Sequence, residues 1–361
     1  MERRNGFDET GEPNERRALR MSGGDNLKRN HRSRERVRIG VLLAGVAVVL
    51  LLLYQVGRWL ETNGNQPEAR GEYVQPQSTA QSIEIDGVSY QPKENLTTIL
   101  LMGIDRETDQ QSVGNRNGGQ ADFLRLIVID STNKTVSQLQ IDRDTMTPIT
   151  VLGVLGDRSG IRTAQISLSH GFGDGGEQSC ELTVEAVSNL LLNTPIDFYV
   201  AMNLDGISEL NDLVGGVTVT LEDDFSALDP TMTVGTTLTL TGEQAEIFVR
   251  GRHSVGVGTN ESRMVRQEQY LAELTELLHA KQEEDANFVG TLYDALTPYL
   301  TTNMSRGRLI NETWAAKDYE RTLVVKPEGT HEVGADGFMQ FTVDEASLQQ
   351  AVLTLFYEEV K

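Results

Sequence analysis

Residues 97–104 read T-T-I-L-L-M-G-I, a continuous apolar run with the length of a buried strand. A second run, F-L-R-L-I-V-I-D at 123–130, is followed by the turn signal S-T-N-K and then by T-V-S-Q-L-Q-I at 135–141. Strand-like runs on either side of turn residues predict a hairpin. Beyond it, residues 181–192 carry apolar positions at helical spacing, and F-Y-V-A-M-N (198–203) reads as a strand. Asp205 is placed to cap a short helix, which Gly215 and Gly216 end before V-T-V-T-L (217–221). Thr241 with Gln244 makes a capping box for a helix running into Arg250. Asn260 is the expected cap of a long helix to about Ala280, with Met264, Leu271, Leu274 and Leu278 facing inward. Further helices are expected near 286–303 and 343–358, around a strand at 322–326. Strands alternating with helices place the chain in the α/β class, as a three-layer α/β/α sandwich around a mixed β-sheet. This domain is expected to occupy residues 94–361.

The segment ahead of it is different in kind. Residues 1–38 are polar and basic, with 11 Lys+Arg against 7 Asp+Glu and few apolar side chains, so they predict a disordered tail. Residues 39–57 form an apolar run of 19 residues without a charge. As a helix it spans roughly 28 Å, close to the ~30 Å hydrocarbon core of a bilayer. Arg38 and Arg58 bracket it, and Tyr54 and Trp59 stand where interfacial aromatics belong. The expectation is an uncleaved transmembrane anchor with the basic N-terminus in the cytoplasm and the rest of the chain outside the cell membrane. Residues 58–93, rich in Gln, Asn, Glu, Gly and Pro, read as a stalk in which only I-E-I-D-G-V-S-Y has the pattern of a short strand or hairpin arm.

Charge narrows the partners. The chain carries a formal net charge of −21, which argues against nucleic acid as a ligand. Cys180 is the single cysteine, so no disulfide framework and no cysteine-based metal site is expected. His170 has no histidine partner nearby other than His253, which gives a histidine metal site little support.

Against that acidic background, residues 250–267 read R-G-R-H-S-V-G-V-G-T-N-E-S-R-M-V-R-Q. Four arginines, Arg250, Arg252, Arg263 and Arg266, stand here with one acid, Glu261. Guanidinium groups bind phosphate through two parallel hydrogen bonds, so the stretch reads as a grip on a phosphate or pyrophosphate. The competing reading pairs these arginines with the surplus carboxylates. Arg263, Arg266, Gln267 and Tyr270 share one helix face. Arg263 would lie in the first turn, where free N–H groups also favour an anion. Asp105 and Asp122 fall at strand ends, and Asp144 follows Arg143 at the end of the hairpin. Such carboxylates beside a pyrophosphate suit Mg²⁺, and one could serve as general base toward a hydroxyl. Turn and cap aspartates are the plainer alternative for any one of them.

The order of these stretches resembles the LytR–CpsA–Psr family of cell-wall ligases. The matching pieces are L-L-M-G-I-D-R, A-D-F-L-R-L-I-V-I-D, Q-I-D-R-D-T, D-L-V-G-G-V-T-V, L-T-G-E-Q-A-E-I-F-V-R-G-R and R-M-V-R-Q. The resemblance implies an extracytoplasmic α/β/α domain that takes a polyprenyl-pyrophosphate-linked glycan and transfers it, with Mg²⁺, to a peptidoglycan hydroxyl through a phosphodiester. By position it makes Asp105 and Asp122 the metal or base carboxylates. Arg143, Arg250, Arg252, Arg263 and Arg266 would hold the pyrophosphate with Gln267 beside them, and Arg106 and Asp144 would support. The chain departs from the family pattern at Gln120-Ala121 in place of Arg-Ser and at Asp142 in place of a proline. It departs again near Asn260, where an aspartate is usual, and at Ser167 in the neighbourhood of a usual asparagine. These departures motivate an alternative, a non-catalytic holder of wall polymer or its lipid-linked precursor.

Overall fold

The computed structural model describes residues 82–85, 87–106, 118–153, 156–251, 255, 258 and 260–360. The expected tail (1–38), the transmembrane helix (39–57), most of the stalk (58–93) and Arg252 lie outside them. Among the described residues no helix is long and apolar enough to cross a membrane.

The strands begin with β1 (Ile83–Ile85), β2 (Val88–Pro92), β3 (Leu96–Ile104), β4 (Ala121–Asp130) and β5 (Thr135–Ile141). A hairpin of β6 (Met146–Leu152) and β7 (Arg158–Gln165) leads to the short α1 (Leu168–Gly171) and to α2 (Glu177–Leu190). Next come β8 (Phe198–Asn203), α3 (Asp205–Val214), β9 (Thr218–Thr220), β10 (Thr237–Thr239), α4 (Gly242–Arg250) and α5 (Asn260–Glu284). The chain closes with α6 (Phe288–Leu296), β11 (Leu300–Thr302), α7 (Arg306–Ala316), β12 (Glu320–Val325), β13 (Gly329–Val333), β14 (Met339–Val343), α8 (Glu345–Phe356) and β15 (Tyr357–Glu359).

The central sheet has six strands in the order β11-β8-β3-β4-β5-β12. It is mixed: β3 runs antiparallel to β4 and parallel to β8, while β12 runs parallel to β5. One face buries Leu100, Leu126 and Leu139 against Val187 and Leu190 of α2 and Leu348, Val352 and Leu355 of α8. The opposite face carries Ile99 and Ile129, packed with Leu309 and Ala316 of α7. A separate core of Phe225, Phe248, Tyr270 and Leu274 joins α4 and α5. Helices therefore cover both faces, as the alternating pattern predicted.

Several local expectations are corrected. Leu204, not Asp205, is the cap of α3; Asp205 already lies in the first turn. The region near 286–303 is not one helix: α6 stops at Leu296, a 3₁₀ turn holds Pro298, and the chain leaves as β11. A proline there cannot donate to the preceding turn, so the helix ends. The hairpins β6–β7 and β13–β14 carry little signal in the sequence, because β13 and most of β7 are exposed and lack an apolar alternation. The expected arm at β1–β2 joins the folded body, since β2 pairs with β15.

Candidate active site

Backbone register brings the strand-end acids together. Gly103 lies opposite Phe123, but the next residue, Ile104, lies opposite Ala121. Asp122 is thus the extra residue of a bulge, a device that re-aims a side chain at the rim of a sheet. A Cβ on Gly103 would lie 3.0 Å from the Phe123 Cβ, so glycine keeps the two strands close there. Between β4 and β5, Leu124 pairs with Ile141. The same register carried two residues past the ladder sets Arg143 across from Asp122.

Asp122 stands between two arginines. Its Oδ1 is 2.6 Å from Arg143 Nη1, and its Oδ2 accepts from Arg263 Nη1 at 2.9 Å. The Arg143 contact is close in distance but is not a directed hydrogen bond, which leaves Oδ1 held mainly by charge. Arg143 is fixed from behind by Gln120 Oε1, by Ser167 Oγ at 3.5 Å and by Asp144 Oδ1 at 3.4 Å. Two of the positions that depart from the family pattern, Gln120 and Ser167, are therefore the ones that orient this arginine. Asp105, just past β3, has its Oδ1 3.3 Å from Arg250 Nη2. Arg250 also pairs with Glu246 one turn earlier on α4.

A cavity of about 300 Å³ joins these groups. Asp105, Asp122, Arg250, Arg263 and Gln267 line it, together with the apolar side chains of Phe123, Met202, Leu204, Ile207 and Val249. Asn203 lines it too, although nothing in the sequence around it signalled a role.

Other expected residues are placed differently. Arg266 is buried with its guanidinium turned to Phe248 O at 3.3 Å, to Gly251 O and to Asp223 Oδ2 at 2.8 Å, above the Phe225 ring. It closes the carbonyl end of α4 and holds the corner from which Arg250 projects. Gln267 adds a bond from Nε2 to Val249 O at 3.2 Å. Arg106 reaches Gly175 O at 3.1 Å and lines a neighbouring cavity of about 170 Å³, together with His170 and Tyr299. His170 is buried, its Nδ1 3.2 Å from Gly119 O, and burial pulls its pKa down to about 4. Burial likewise raises the Cys180 thiol, so it stays protonated. Asn260 begins α5 with its side chain turned inward to Asp142 and Arg263.

Among the described residues no group of three or more His, Cys, Asp or Glu is arranged to hold a metal. Mg²⁺ bound beside phosphate commonly takes one or two carboxylates, the rest of its shell being phosphate and water. Asp105 and Asp122, which line the same cavity, with Asp122 Oδ1 lacking a directed donor, fit that kind of site.

Fold and cavity together define a mixed-sheet α/β sandwich with an arginine–carboxylate cleft at one end of its strands. The model of the LytR_cpsA_psr family matches residues 62–355, and the chain belongs to that family, as the motifs suggested. A Bacillus cereus protein named polyisoprenyl-teichoic acid–peptidoglycan teichoic acid transferase TagU is 26% identical over 266 residues, 71% of this chain and 77% of that one. Its Halalkalibacterium halodurans namesake is 25% identical over 299 residues, 81% and 89% of the two chains. Among solved structures, gbs0355 from Streptococcus agalactiae superposes with a TM-score of 0.60 at 21% identity, covering 72% of this chain and 86% of its own. TagT bound to LI-WTA gives 0.56 at 22% identity, covering 81% and 98%. These likenesses show the fold.

Proposed function

We propose that the protein is a membrane-anchored transferase that moves a polyprenyl-pyrophosphate-linked glycopolymer onto a peptidoglycan hydroxyl through a phosphodiester. The observation that carries this reading is the clamp on Asp122: two arginines are held around one strand-end carboxylate, and Asp122 and Arg263 line a single cavity with Asp105 and Arg250. The names of the TagU relatives point to the same substrate class. The apolar side chains among the lining, Phe123, Met202, Leu204, Ile207 and Val249, suit the first isoprene units of a lipid carrier.

Among the described residues the charged groups lining the cavity are Asp105, Asp122, Arg250 and Arg263, two acids against two arginines. A doubly charged pyrophosphate diester and one divalent cation would enter it without changing that balance. Asp105 and Asp122 would hold Mg²⁺, which when bound neutralises charge on the phosphate oxygens. Arg143, Arg250 and Arg263 would grip the pyrophosphate, and the same role is proposed for Arg252. The acceptor hydroxyl forms a bond to the phosphorus beside the glycan as the bond from that phosphorus to the bridging oxygen breaks. Polyprenyl phosphate leaves, and the hydroxyl proton passes to a carboxylate. We propose Asp105, half exposed and lining the cavity, as that carboxylate.

Full-length protein in detergent, given a lipid-pyrophosphate glycan, Mg²⁺ and peptidoglycan fragments, should yield a joined product. Lipid binding without any product would favour the holder reading instead. For the anchor, a reporter fused after Gly57 should lie outside the cytoplasm. Protease added to spheroplasts should remove the C-terminal domain, and full protection of that domain would reverse the topology.

A further inference from the structure

Behind the cleft runs a second set of polar groups that does not line it. Asp142 and Asn260 are buried, at 6% and 8% exposure. Asn260 Nδ2 donates to Asp142 Oδ1 at 2.9 Å, and Asn260 Oδ1 accepts from Arg263 Nη2 at 2.7 Å. Asp142 Oδ1 also accepts from the Asp144 backbone N–H at 2.8 Å, while Oδ2 meets His331 Nε2 at 2.8 Å. His331 lies on β13 with its ring 4.6 Å from that of Phe341 on β14. A continuous line of contacts therefore runs from the β13–β14 hairpin through Asp142 and Asn260 to Arg263 and on to Asp122.

The chemistry of each position follows from its neighbours. Position 260 must donate to a carboxylate on one side and accept from a guanidinium on the other, which an amide does and an ionised carboxylate cannot. Position 142 must accept from the amide, from a backbone N–H and from the imidazole, which suits a carboxylate. Buried groups joined in this way are costly to leave half satisfied, so the line holds one geometry.

We infer that Asp142, Asn260 and His331 form a brace that sets the Arg263 guanidinium against Asp122, and that they act as positioning residues. This rests on the reading of Arg263 and Asp122 as the pair that handles phosphate.

The test uses full-length protein with two probes. One is the affinity for inorganic pyrophosphate with Mg²⁺, by calorimetry. The other is proton exchange at the Arg263 guanidinium by NMR, with ¹⁵N-arginine labelling and the signal assigned through Arg263→Lys. Asn260→Asp keeps the shape but sets two carboxylates in contact; it should weaken pyrophosphate binding about tenfold and speed the exchange. Asp142→Ala removes the acceptor of the Asn260 amide and should move both readings in the same direction as Asn260→Asp. Unchanged readings in Asn260→Asp or in Asp142→Ala would overturn the brace. Should Asn260→Asp not fold, the partly exposed His331→Leu decides: faster exchange and weaker binding support the brace, wild-type values refute it. If wild-type protein binds no pyrophosphate, the functional reading falls while the exchange measurement still decides the brace.

Discussion

Arg263 Nη1 donates to Asp122 Oδ2 at 2.9 Å across 141 residues of chain, while Arg263 Nη2 donates to Asn260 at 2.7 Å. Both ends of the guanidinium are therefore oriented before any ligand arrives, the kind of preorganisation that makes charge stabilisation effective. Lysine keeps the charge but cannot make both bonds. At roughly 1.5–3 kcal/mol for a lost charge-assisted bond, Arg263→Lys should weaken pyrophosphate binding and slow turnover about tenfold to a hundredfold. Arg308, paired with Glu312 and stacked over Phe198, is the control. Arg308→Lys should stay within ~0.5 kcal/mol of wild-type stability and leave turnover alone. Calorimetric titration and product assays on both variants check this.

Asp105→Asn and Asp122→Asn should each abolish turnover more than they weaken lipid binding, because the charge they act on develops during transfer. The double variant should lose little beyond either single one, since groups acting as a unit are not additive. Single-turnover assays beside lipid-binding measurements separate the two effects. Normal Mg²⁺-dependent turnover in either single variant would remove these carboxylates from the reaction.

Arg266 makes the opposite prediction from Arg263, three residues away. Its contacts to Phe248 O, Gly251 O and Asp223 are internal, and its removal leaves two carbonyls and a carboxylate without their donor. Arg266→Met should cost about 2–4 kcal/mol of stability. In urea unfolding the midpoint should drop. Pyrophosphate affinity of the protein that remains folded should fall less than in Arg263→Lys.

His170 should make the protein acid-sensitive. Burial holds it neutral in the fold down to about pH 4, whereas the unfolded chain takes up that proton near 6.5. Between those values the unfolded state binds more protons, so stability falls as pH is lowered from 6.5 toward 4 and is fully present above 6.5. The span corresponds to about 3 kcal/mol. His170→Gln, neutral at every pH, should lack this component, so the stability gap between wild type and variant should narrow by that amount from pH 7 to pH 4. Parallel urea titrations at both pH values measure it.

Much of the architecture was legible because it is written locally. The apolar runs now seen as β3, β4 and β5, the S-T-N-K turn and the Thr241–Gln244 capping box each depend on a few neighbouring residues, and each stands as read. The arginine-rich stretch and the strand-end acids were equally visible as residue types at informative spacing. Other strands leave little local mark: β7 is mostly exposed and β13 wholly so, and neither has the alternation that betrays a half-buried strand.

The division of labour within the site was decided in three dimensions. Arg263 and Arg266 share a helix and a sequence motif, yet one reaches Asp122 on β4 and the other the carbonyls that end α4. Spacing along α5 says that both point inward; only the packing of α4 against α5 says what each meets. The bulge that turns Asp122 toward two arginines comes from the pairing of β3 with β4. Asp142, Asn260 and His331 carry no local mark of their connection, because their contacts span 118 and 189 residues. Periodicity, caps and turn residues are short-range properties and determine which elements form, whereas the partner of a buried charge depends on which distant elements the folded core brings against it.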